Sequence, residues 1–434
     1  MLVIKGGHVI DPGNVDGVYD IYIRNGHISA LVDRRNGESK TGQPEAVDSR
    51  EIEREINAEG KIVTPGLIDM HVHLREPGYE YKETIATGSL AAAAGGFAAV
   101  CCMPNTKPVN DCAEVTRYII QKAEEAGFAR VFPVGAISRA SEGKALADFG
   151  ELKAAGAVAV TDDGRPVSDS RLMRRAMEYA TGFGLPVISH CEDIGLAENG
   201  VMNEGPVATR LGLAGIPNAA ETVMVMRDIV LSALTGAHVH IAHVSTAESV
   251  SAIRSAKRQG LTVTAETAPH YFTLTDEAVG LYNTNAKMNP PLRSETDRQA
   301  IREGLADGTI DVIATDHAPH SILEKEVEFD QAANGIIGLE TSLALSLALV
   351  RDKILDFGGL VNKMAKNPAR ILGLACGIKV NSPADLTILD PRQPIVVEPG
   401  SFHSLGRNTP FGGISLQGRV LLTMVGGRIV FSNL

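Results

Sequence analysis

The fold is decided by a run of β-forming residues that ends in two histidines, IVTPGLIDMHVHL at residues 62–74. Seven more apolar runs follow it, at 98–103, 130–137, 158–162, 185–191, 238–244, 261–267 and 310–316. Helical periodicity fills the intervals, for example at 111–126, 171–180, 220–235, 249–258 and 296–305. Eight strand-helix units in succession favour a closed α/β barrel of the (β/α)8 TIM type, with an open doubly wound sheet as the alternative.

The two ends of the chain resemble each other and differ from the middle. Short β-forming runs there surround the two-residue turns Gly6-Gly7, Asn25-Gly26 and Gly426-Gly427, which are typical of hairpins. Neither end is long enough to bury a sheet face alone. We therefore predict that residues 1–62 and 382–434 pair into one small β-sandwich domain, and that residues 63–381 form the barrel.

Composition excludes several classes of protein. The 434 residues are 44% hydrophobic and 21% charged, as in a soluble globular protein, and the net charge of −11 lacks the basic footprint of a nucleic-acid binder. Five cysteines without a CxxC pair are typical of a reducing compartment, so we expect a cytoplasmic protein. Residues 85–103 are uncharged, but Gly95-Gly96 divides them into a helix and a strand, which predicts no membrane span.

Histidine and aspartate side chains end five of the predicted strands, where barrel enzymes place their catalytic groups. His71 and His73 end the first run, and residues two apart on a strand point to the same face. The fourth, fifth, sixth and eighth runs end in Asp162-Asp163, His190, His243 and Asp316. Each of these alone is more often a turn or a polar packing residue. Burying them together without a metal would cost several kcal/mol of desolvation, so their convergence predicts a metal site.

The donor types indicate which metal. Imidazole and carboxylate ligands without a thiolate suit zinc, with manganese or cobalt as substitutes, and the donors are too many for one four-coordinate ion. We expect two ions about 3.5 to 4 Å apart, and a bridging water whose pKa falls toward about 7, so that hydroxide is the nucleophile. Asp316 is expected to act as general base and then as general acid toward a leaving nitrogen. The expected ligands are His71, His73 and Asp316 for one ion, His190 and His243 for the other, and Asp163 as the bridge.

Five motifs carry a resemblance to a known family. They are GLIDMHVHLREPG at 66–78, MPNT at 103–106, TDDG at 161–164, MNPPLR at 288–293 and ATDHAPH at 314–320. The chain resembles the amidohydrolase superfamily and, within it, the class I dihydroorotases, over essentially its whole length. The Arg-Glu-Pro-Gly that follows the first strand and the Asp-Asp-Gly at the fourth are the most specific of these motifs.

The resemblance implies zinc-dependent, reversible hydrolysis of (S)-dihydroorotate to N-carbamoyl-L-aspartate in pyrimidine biosynthesis. It selects Asp163 over Asp162 as the bridging ligand, because the family places the ligand immediately before the glycine. It also implies a homo-oligomer, and it suggests an association with aspartate carbamoyltransferase. The substrate contacts that it implies are His73, Arg75, Asn105, Asn289, His320, Asn334 and Gly335.

Two other functions stay open at this point. A hydantoinase or allantoinase would act on a related cyclic ureide. Against this alternative, a hydantoin lacks the carboxylate that Arg75 would bind, and the fourth strand lacks the lysine typical of hydantoinases. A non-catalytic assembly subunit would be expected to lack metal ligands. Among the other histidines, we interpret His240 and His270 as packing or surface residues and expect His317 to point away from the cavity.

Overall fold

The computed structural model describes residues 1–35 and 52–434, so part of the predicted segment 1–62 lies outside the described residues. The described strands are β1 Leu2–Asp11, β2 Val15–Arg24, β3 His27–Asp33, β4 Arg54–Asn57, β5 Ile62–Pro65, β6 Leu67–Val72, β7 Phe97–Cys102, β8 Arg130–Pro133, β9 Val187–Ser189, β10 Met202–Asn203, β11 Gly215–Ile216, β12 Val239–Ile241, β13 Val263–Thr267, β14 Val312–Ile313, β15 Leu386–Val396, β16 Ser415–Val425 and β17 Arg428–Ser432.

A closed ring of parallel strands fills the middle of the chain. β6, β7 and β8 form one parallel group, and β9, β12, β13 and β14 form another. Val160 joins them on one side through bridges to Gly135 and Val187, and Val72 joins them on the other through a bridge to His317. The predicted barrel is therefore confirmed, and the open sheet is not observed.

The fourth barrel position differs from the prediction in length. The run 158–162 forms no regular strand, although the bridges of Val160 and the backbone hydrogen bonds of residues 158–161 join it to both neighbouring strands. Beyond Thr161 the contact is made by a side chain, because the carboxylate of Asp162 accepts the backbone N–H groups of Ile137 and Ser138.

Successive residues of the barrel strands point to opposite sides, as period-two geometry requires. Cys101 packs inside the barrel with Met70 and Ile188, whereas the next residue, Cys102, packs in the layer between strands and helices. Both thiols are buried and free. These cysteines are therefore small packing residues of the barrel.

Helices surround the ring. The five helical stretches cited from the sequence match five helices of the structure to within two residues at each end. These helices are α2 Ala113–Ala126, α4 Ser170–Thr181, α7 Asn218–Thr235, α8 Ala247–Arg258 and α10 Glu295–Ala306. Further turns of 3-10 helix lie at Arg139–Ser141, Asp276–Val279, Thr284–Ala286 and Pro399–Ser401, and a π-helical turn lies at Asn362–Lys366. The helices are α1 Ile85–Ala94, α2 Ala113–Ala126, α3 Phe149–Ala155, α4 Ser170–Thr181, α5 Ile194–Ala197, α6 Pro206–Leu211, α7 Asn218–Thr235, α8 Ala247–Arg258, α9 Pro269–Thr273, α10 Glu295–Ala306, α11 Ile322–Lys325, α12 Ser342–Arg351, α13 Phe357–Val361 and α14 Asn367–Leu372.

The uncharged stretch 85–103 forms α1 and β7. Thr84 begins α1 with a capping box, and the chain turns at Gly96, whose φ of 90° is accessible to glycine at little cost. Within the described residues, the model contains no helix that is both long and apolar enough to span a bilayer.

Strands from both ends of the chain share one sheet. Its order is β17-β16-β15-β5-β1-β2-β3, and β4 also pairs with β1. Side chains from both ends form one core that includes Ile4, Ile21, Ile388 and Leu422. The domain boundaries at residues 62 and 382 stay predictions. At the first of them, the sheet strand β5 begins at Ile62, and only Gly66 separates its end from the barrel strand β6.

A cavity of about 620 Å³ lies at the floor of the barrel, where its strands begin. Ile68, Ala99 and Phe132 line it from β6, β7 and β8, and Arg130 and Asp385 form an ion pair of 3.1 Å at its wall. The site predicted from the sequence lies at the opposite end of the same strands.

Candidate active site

Six polar side chains converge at the carboxyl ends of the barrel strands. His71 lies on β6 and His73 immediately follows its last residue, and the chain just beyond the fourth, fifth, sixth and eighth barrel positions supplies the other four. All six are buried: His71, His73, Asp163, His190, His243 and Asp316. The structure therefore brings together every residue for which the sequence predicts metal binding.

Asp163 lies at the centre of this group. Its Oδ1 is 3.4 Å from His71 Nε2, 3.5 Å from His190 Nδ1 and 3.6 Å from His243 Nε2, and its Oδ2 is 3.5 Å from His73 Nε2. Two sets of potential ligands result, and both contain Asp163: one with His71 and His73, the other with His190 and His243. This is the arrangement expected of a carboxylate shared by two ions.

Asp316 adjoins the first of these sets. Its Oδ1 lies 3.1 Å from His73 Nε2 and 3.5 Å from His71 Nε2. Asp162, in contrast, is occupied elsewhere, because its carboxylate accepts hydrogen bonds from Ile137 and Ser138. The two neighbouring aspartates thus have separate positions, and only Asp163 lies among the imidazoles.

The residues fit a metal centre by two observations. His71 Nε2, which faces Asp163, is buried and has no hydrogen-bond partner within the described residues. The distances of 3.4 to 3.6 Å from Asp163 to the imidazoles also match the roughly 3.3–3.6 Å separation of two ligand atoms that each lie about 2.0–2.2 Å from one tetrahedral ion.

The two carboxylates are held in the ionised form. Burial by itself raises the pKa of Asp163, but the charge of His71 and hydrogen bonds from the neighbouring imidazoles lower it well below its ordinary value. Burial and the charge of His71 oppose each other in the same way at Asp316, and its pKa is lowered. Ionised carboxylates are the form that binds cations and accepts protons.

Both imidazoles at the end of β6 use their other ring nitrogen for a hydrogen bond. His71 Nδ1 donates to Glu266 Oε1 at 2.6 Å, and His73 Nδ1 donates to Asn105 Oδ1 at 2.9 Å. These bonds hold a proton on Nδ1 of each ring, so Nε2, which faces Asp163 and Asp316, is the nitrogen that would bind a metal once it has lost its own proton. Hydrogen bonding thus selects the ring nitrogen that a metal would contact.

Glu266 is the functional residue that our sequence interpretation missed. It is buried near the end of β13, where it also contacts His240 Nε2 at 3.2 Å. His240 is a buried residue, as expected, but through Glu266 it belongs to the support of the metal centre. The available signal was position, because Glu266 is an acidic residue at the end of the seventh predicted strand, level with the other polar ends.

Three site residues have a backbone conformation that L-residues rarely adopt. Arg75, His243 and Asp316 have φ values of 63°, 34° and 47°. Such conformations cost on the order of 1–3 kcal/mol each and persist where the surrounding structure imposes them, commonly at active sites. Here they turn the chain at the points where β6, β12 and β14 deliver their side chains to the centre.

A cavity of about 210 Å³ opens beside the metal-binding side chains. Its lining contains the predicted substrate contacts except Gly335, namely His73, Arg75, Asn105, Asn289, His320 and Asn334. Gly335 follows Asn334, but its N–H donates to the carbonyl of Lys287 instead of facing the cavity. His317 points away, as expected, with Nε2 3.3 Å from the buried Glu83.

Arg75 is a half-buried cation that forms no ion pair within 4 Å among the described residues. Its Nε donates to the carbonyl of Pro319 at 3.2 Å, and its Nη2 lies 3.4 Å from His320 Nε2. His320 is neutral at physiological pH, because burial and the nearby charges of Arg75 and Lys82 lower its pKa to about 3. Carboxylates, including those of Asp316 and Asp163, act on Arg75 only from a longer distance, so its guanidinium can still pair directly with an anionic group bound in the cavity.

Comparisons with known proteins agree with this geometry. Residues 60–249 match the family model described as Dihydro-orotase-like. The dihydroorotase of Desulforapulum autotrophicum is 60% identical over 433 residues, covering 100% of this chain and 99% of that protein. The dihydroorotase of Syntrophus aciditrophicus is 56% identical over 435 residues, covering 100% and 99%.

Solved structures resemble the fold as a whole. The L-hydantoinase of Arthrobacter aurescens superposes with a TM-score of 0.86 at 24% identity, covering 99% of this chain and 96% of that one. A dihydropyrimidinase of Brevibacillus agri gives 0.82 at 22% identity, with coverage of 99% and 95%. The structural likeness concerns architecture, and the full-length sequence identity concerns family. On that identity, the chain belongs to the dihydroorotase family of the amidohydrolase superfamily.

Proposed function

We propose that the chain catalyses the reversible hydrolysis of (S)-dihydroorotate to N-carbamoyl-L-aspartate, a step of pyrimidine biosynthesis. In the forward direction water adds to the ring carbonyl carbon, the C–N bond of the cyclic amide breaks, and the leaving nitrogen takes a proton. The observation that carries the proposal is Arg75, a half-buried cation that lines the small cavity beside the ligand set and forms no ion pair within 4 Å among the described residues. Family membership supports the same assignment.

The proposed cofactor is zinc, two ions per chain. His71, His73 and Asp316 would hold one ion, His190 and His243 the other, and Asp163 both; the donor set contains no thiolate. When bound at such a centre, divalent ions polarise a carbonyl group and lower the pKa of water to about 7. The orphaned Nε2 of His71, which lies 3.4 Å from Asp163 Oδ1, supports the presence of a cation.

Asp316 is proposed to move the proton. Its carboxylate is ionised before the reaction, and its Oδ1 contacts His73 Nε2. The other nitrogen of that ring, Nδ1, donates its proton to Asn105. The carboxylate therefore accepts a proton from the attacking water and returns it to the leaving ring nitrogen. General acid-base catalysis of this kind contributes about 10²- to 10⁴-fold to rate.

The substrate carboxylate is proposed to bind Arg75. Asn105 and His320 line the same part of the cavity, and neutral His320 keeps its Nε2 proton on the carbonyl of Asn334 at 2.8 Å. Asn289 donates to Glu192, which lies 3.4 Å from His190 Nε2 and so connects the pocket wall to a proposed ligand. A volume of about 210 Å³ is below the roughly 300–1,000 Å³ of pockets for drug-sized ligands and suits a single small ring.

The proposal also covers the setting of the enzyme. We propose a homo-oligomer in the cytoplasm that acts on a small molecule. We also propose an association with aspartate carbamoyltransferase, which co-purification with that enzyme from the same source would test.

A steady-state comparison of substrates tests the function. We expect hydrolysis of dihydroorotate with kcat/KM at least 10³-fold above that for dihydrouracil or hydantoin, which lack the carboxylate. In Arg75→Met, the KM for dihydroorotate should rise about 10- to 150-fold, because a charged hydrogen bond contributes about 1.5–3 kcal/mol. Equal hydrolysis of dihydrouracil by the unmodified chain would instead assign a hydantoinase-type activity.

A further inference from the structure

A connection between two strands of the terminal sheet reaches the mouth of the barrel. β15 and β16 lie in the sheet that both ends of the chain share, and residues 402–411, which we call the arm, lie between them after the turn at Pro399–Ser401. The arm is anchored at both ends, because Glu340 accepts the backbone N–H of His403 at 2.9 Å and Phe411 is buried in a small apolar cluster. The sequence predicts this segment as part of the β-sandwich domain, and the structure places its central residues against the barrel.

Alternate residues in the centre of the arm face the barrel. Ser404, Gly406 and Asn408 are buried, whereas Leu405 and Arg407 are exposed. A burial period of two residues is typical of an extended chain that has protein on one side and solvent on the other. Three consecutive inward positions of the arm are therefore directed at the barrel.

Asn408 uses its whole side-chain amide to bind the barrel. Its Nδ2 donates to the carbonyls of Ala318 at 2.9 Å and Gly335 at 3.0 Å, and its Oδ1 accepts the backbone N–H of His320 at 3.0 Å. An asparagine amide has two N–H donors and one acceptor oxygen, so each of these groups has a partner. Alanine at this position would remove all three hydrogen bonds, although the backbone carbonyl of residue 408 would still accept the N–H of Ile337.

Two of the three side-chain hydrogen bonds flank Pro319. Ala318 precedes this proline and His320 follows it, so Asn408 holds the chain on both sides of a residue that has no N–H of its own. The arm also approaches Pro319 directly at Gly406, where an added Cβ would lie 2.8 Å from the Cβ of the proline. The arm thus determines where the backbone of residue 319 lies.

The residues that Asn408 holds in place are the residues that contact Arg75. The Nε of Arg75 donates to the Pro319 carbonyl at 3.2 Å, and its Nη2 lies 3.4 Å from His320 Nε2. Arg75 and His320 line the cavity at the mouth, and Asn408 is not part of that lining. An arginine side chain has many rotamers, so acceptors that are fixed in advance reduce the entropy lost when the guanidinium binds an anion.

The third hydrogen bond of Asn408, to Gly335, duplicates a contact made by another residue. Lys325 Nζ donates to the same carbonyl at 3.1 Å, and the N–H of Gly335 donates to the carbonyl of Lys287 at 3.0 Å. The chain at residue 335 therefore keeps two hydrogen bonds when the amide of Asn408 is removed. Its removal acts mainly on residues 318–320, and through them on Arg75.

We propose that Asn408 is a positioning residue for the substrate, which holds residues 318–320 so that Pro319 and His320 orient the guanidinium of Arg75 toward the substrate carboxylate. The inference rests on the proposed function, because that function assigns the carboxylate to Arg75. Asn408 acts through other residues, since its side chain binds Ala318, His320 and Gly335 and does not line the cavity.

Steady-state kinetics of Asn408→Ala at equal zinc content test the proposal. We expect the KM for dihydroorotate to rise about 5- to 50-fold and kcat to stay within about threefold, because the weakened interaction is made equally with the substrate and the transition state. Asn367→Ala is the matched control, because Asn367 Nδ2 donates to the carbonyl of Asp311 at 2.8 Å, at the floor end of β14. The KM of this control should stay within about twofold of the unmodified value.

A second variant disturbs the same residues without removing the amide. Gly406→Ala keeps Asn408 and places its added Cβ against Pro319. We expect the same division of effects, a raised KM with kcat within about threefold. A normal KM in both Asn408→Ala and Gly406→Ala would overturn the proposal.

A double-mutant cycle separates positioning from a general loss of structure. In an Arg75→Met background, adding Asn408→Ala should raise KM by less than about twofold, because the guanidinium through which Asn408 acts is already absent. Independent effects of the two substitutions, which multiply in KM, would overturn the proposal.

Crystal structures of the unmodified chain and of Asn408→Ala supply a measurement that does not depend on the reaction. The Arg75 guanidinium should be displaced by more than about 0.5 Å, the tolerance within which binding groups must be held, while the barrel strands superpose. An unmoved Arg75 would overturn the proposal. Failure of the unmodified chain to hydrolyse dihydroorotate would overturn the proposed function, whereas this structural comparison would still support or overturn the positioning of Arg75 by Asn408.

Discussion

The two ends of the barrel each contain a cavity, and the larger one is not lined by the candidate metal-binding side chains. The floor cavity has about 620 Å³ against about 210 Å³ at the mouth. At the floor, the charge of Arg130 is compensated by Asp385. At the mouth, the buried Nε2 of His71 has no hydrogen-bond partner and Arg75 forms no ion pair within 4 Å among the described residues. Unsatisfied polar groups, and not volume, therefore identify the functional end.

The difference has a topological cause. Side chains at the starts of the strands meet the linker at 374–385, and those at the ends meet loops that carry polar residues. Chain direction in a parallel barrel makes all eight strand ends neighbours, so one residue from each suffices to build a cluster. The predictions that follow test the contrast between the two ends, from the largest expected effect to the smallest.

Removal of metal should abolish activity. Exhaustive chelation should reduce turnover below 1% of the initial value, and added zinc should restore it in proportion to metal content measured on the same sample. The apo protein should also melt at a lower temperature, because a bound ligand stabilises the native state. Full turnover in a preparation verified to be metal-free would contradict the assignment of the mouth.

Replacing Asp316 by Asn should lower kcat about 10²- to 10⁴-fold, because the amide cannot accept the proton. The matched change at the floor, Asp385→Asn, should leave kcat within about twofold, since general acid-base chemistry needs contact with the substrate. Rapid-mixing or endpoint assays of both variants at equal zinc occupancy make the comparison. A near-normal rate for Asp316→Asn would remove its role as proton carrier.

Replacing Glu266 by Gln should weaken zinc binding about 10- to 100-fold, as is typical when a partner of a ligating histidine is changed. The amide oxygen can still accept from His71 Nδ1, but its charge is lost. Competition with a chromophoric chelator measures the affinity, and kcat at saturating zinc should change much less. An unchanged affinity would show that the Glu266 contact does not tune the ligand.

Changing the floor should have the smallest effect. Arg130→Ala removes one partner of a half-exposed ion pair, and such pairs contribute about 0–1 kcal/mol to the free energy of unfolding. We expect kcat/KM within twofold of the unmodified value and a small shift in urea denaturation. A large loss of activity would mean that the two ends of the barrel are coupled.

Much of the fold followed from local pattern. Eight apolar runs with helices between them predict the barrel, since period and order are written in consecutive residues. The fourth run was the exception, because it has backbone hydrogen bonds to both neighbours but forms no regular strand. Its last contact, from the carboxylate of Asp162, depends on the backbone at residues 137–138, which no pattern within the run encodes.

The proposed metal ligands were predictable from the sequence, but the residues that hydrogen-bond to them were not. His71, His73 and Asp316 are strand-end residues, and the strand ends of a parallel barrel lie together whatever the conformation of the loops. Glu266 escaped because a lone acidic residue in a β-rich run has no distinctive spacing. Its bond to His71 joins residues 195 positions apart, which no local pattern encodes.

The sequence by itself determined the order of the elements and the identity of the polar strand ends, because each depends on residue type and spacing. Only the tertiary structure decided which ring nitrogens of His71 and His73 face the centre and the separate positions of Asp162 and Asp163. These depend on hydrogen-bond partners that are brought together when the barrel closes, and those partners lie far away in sequence.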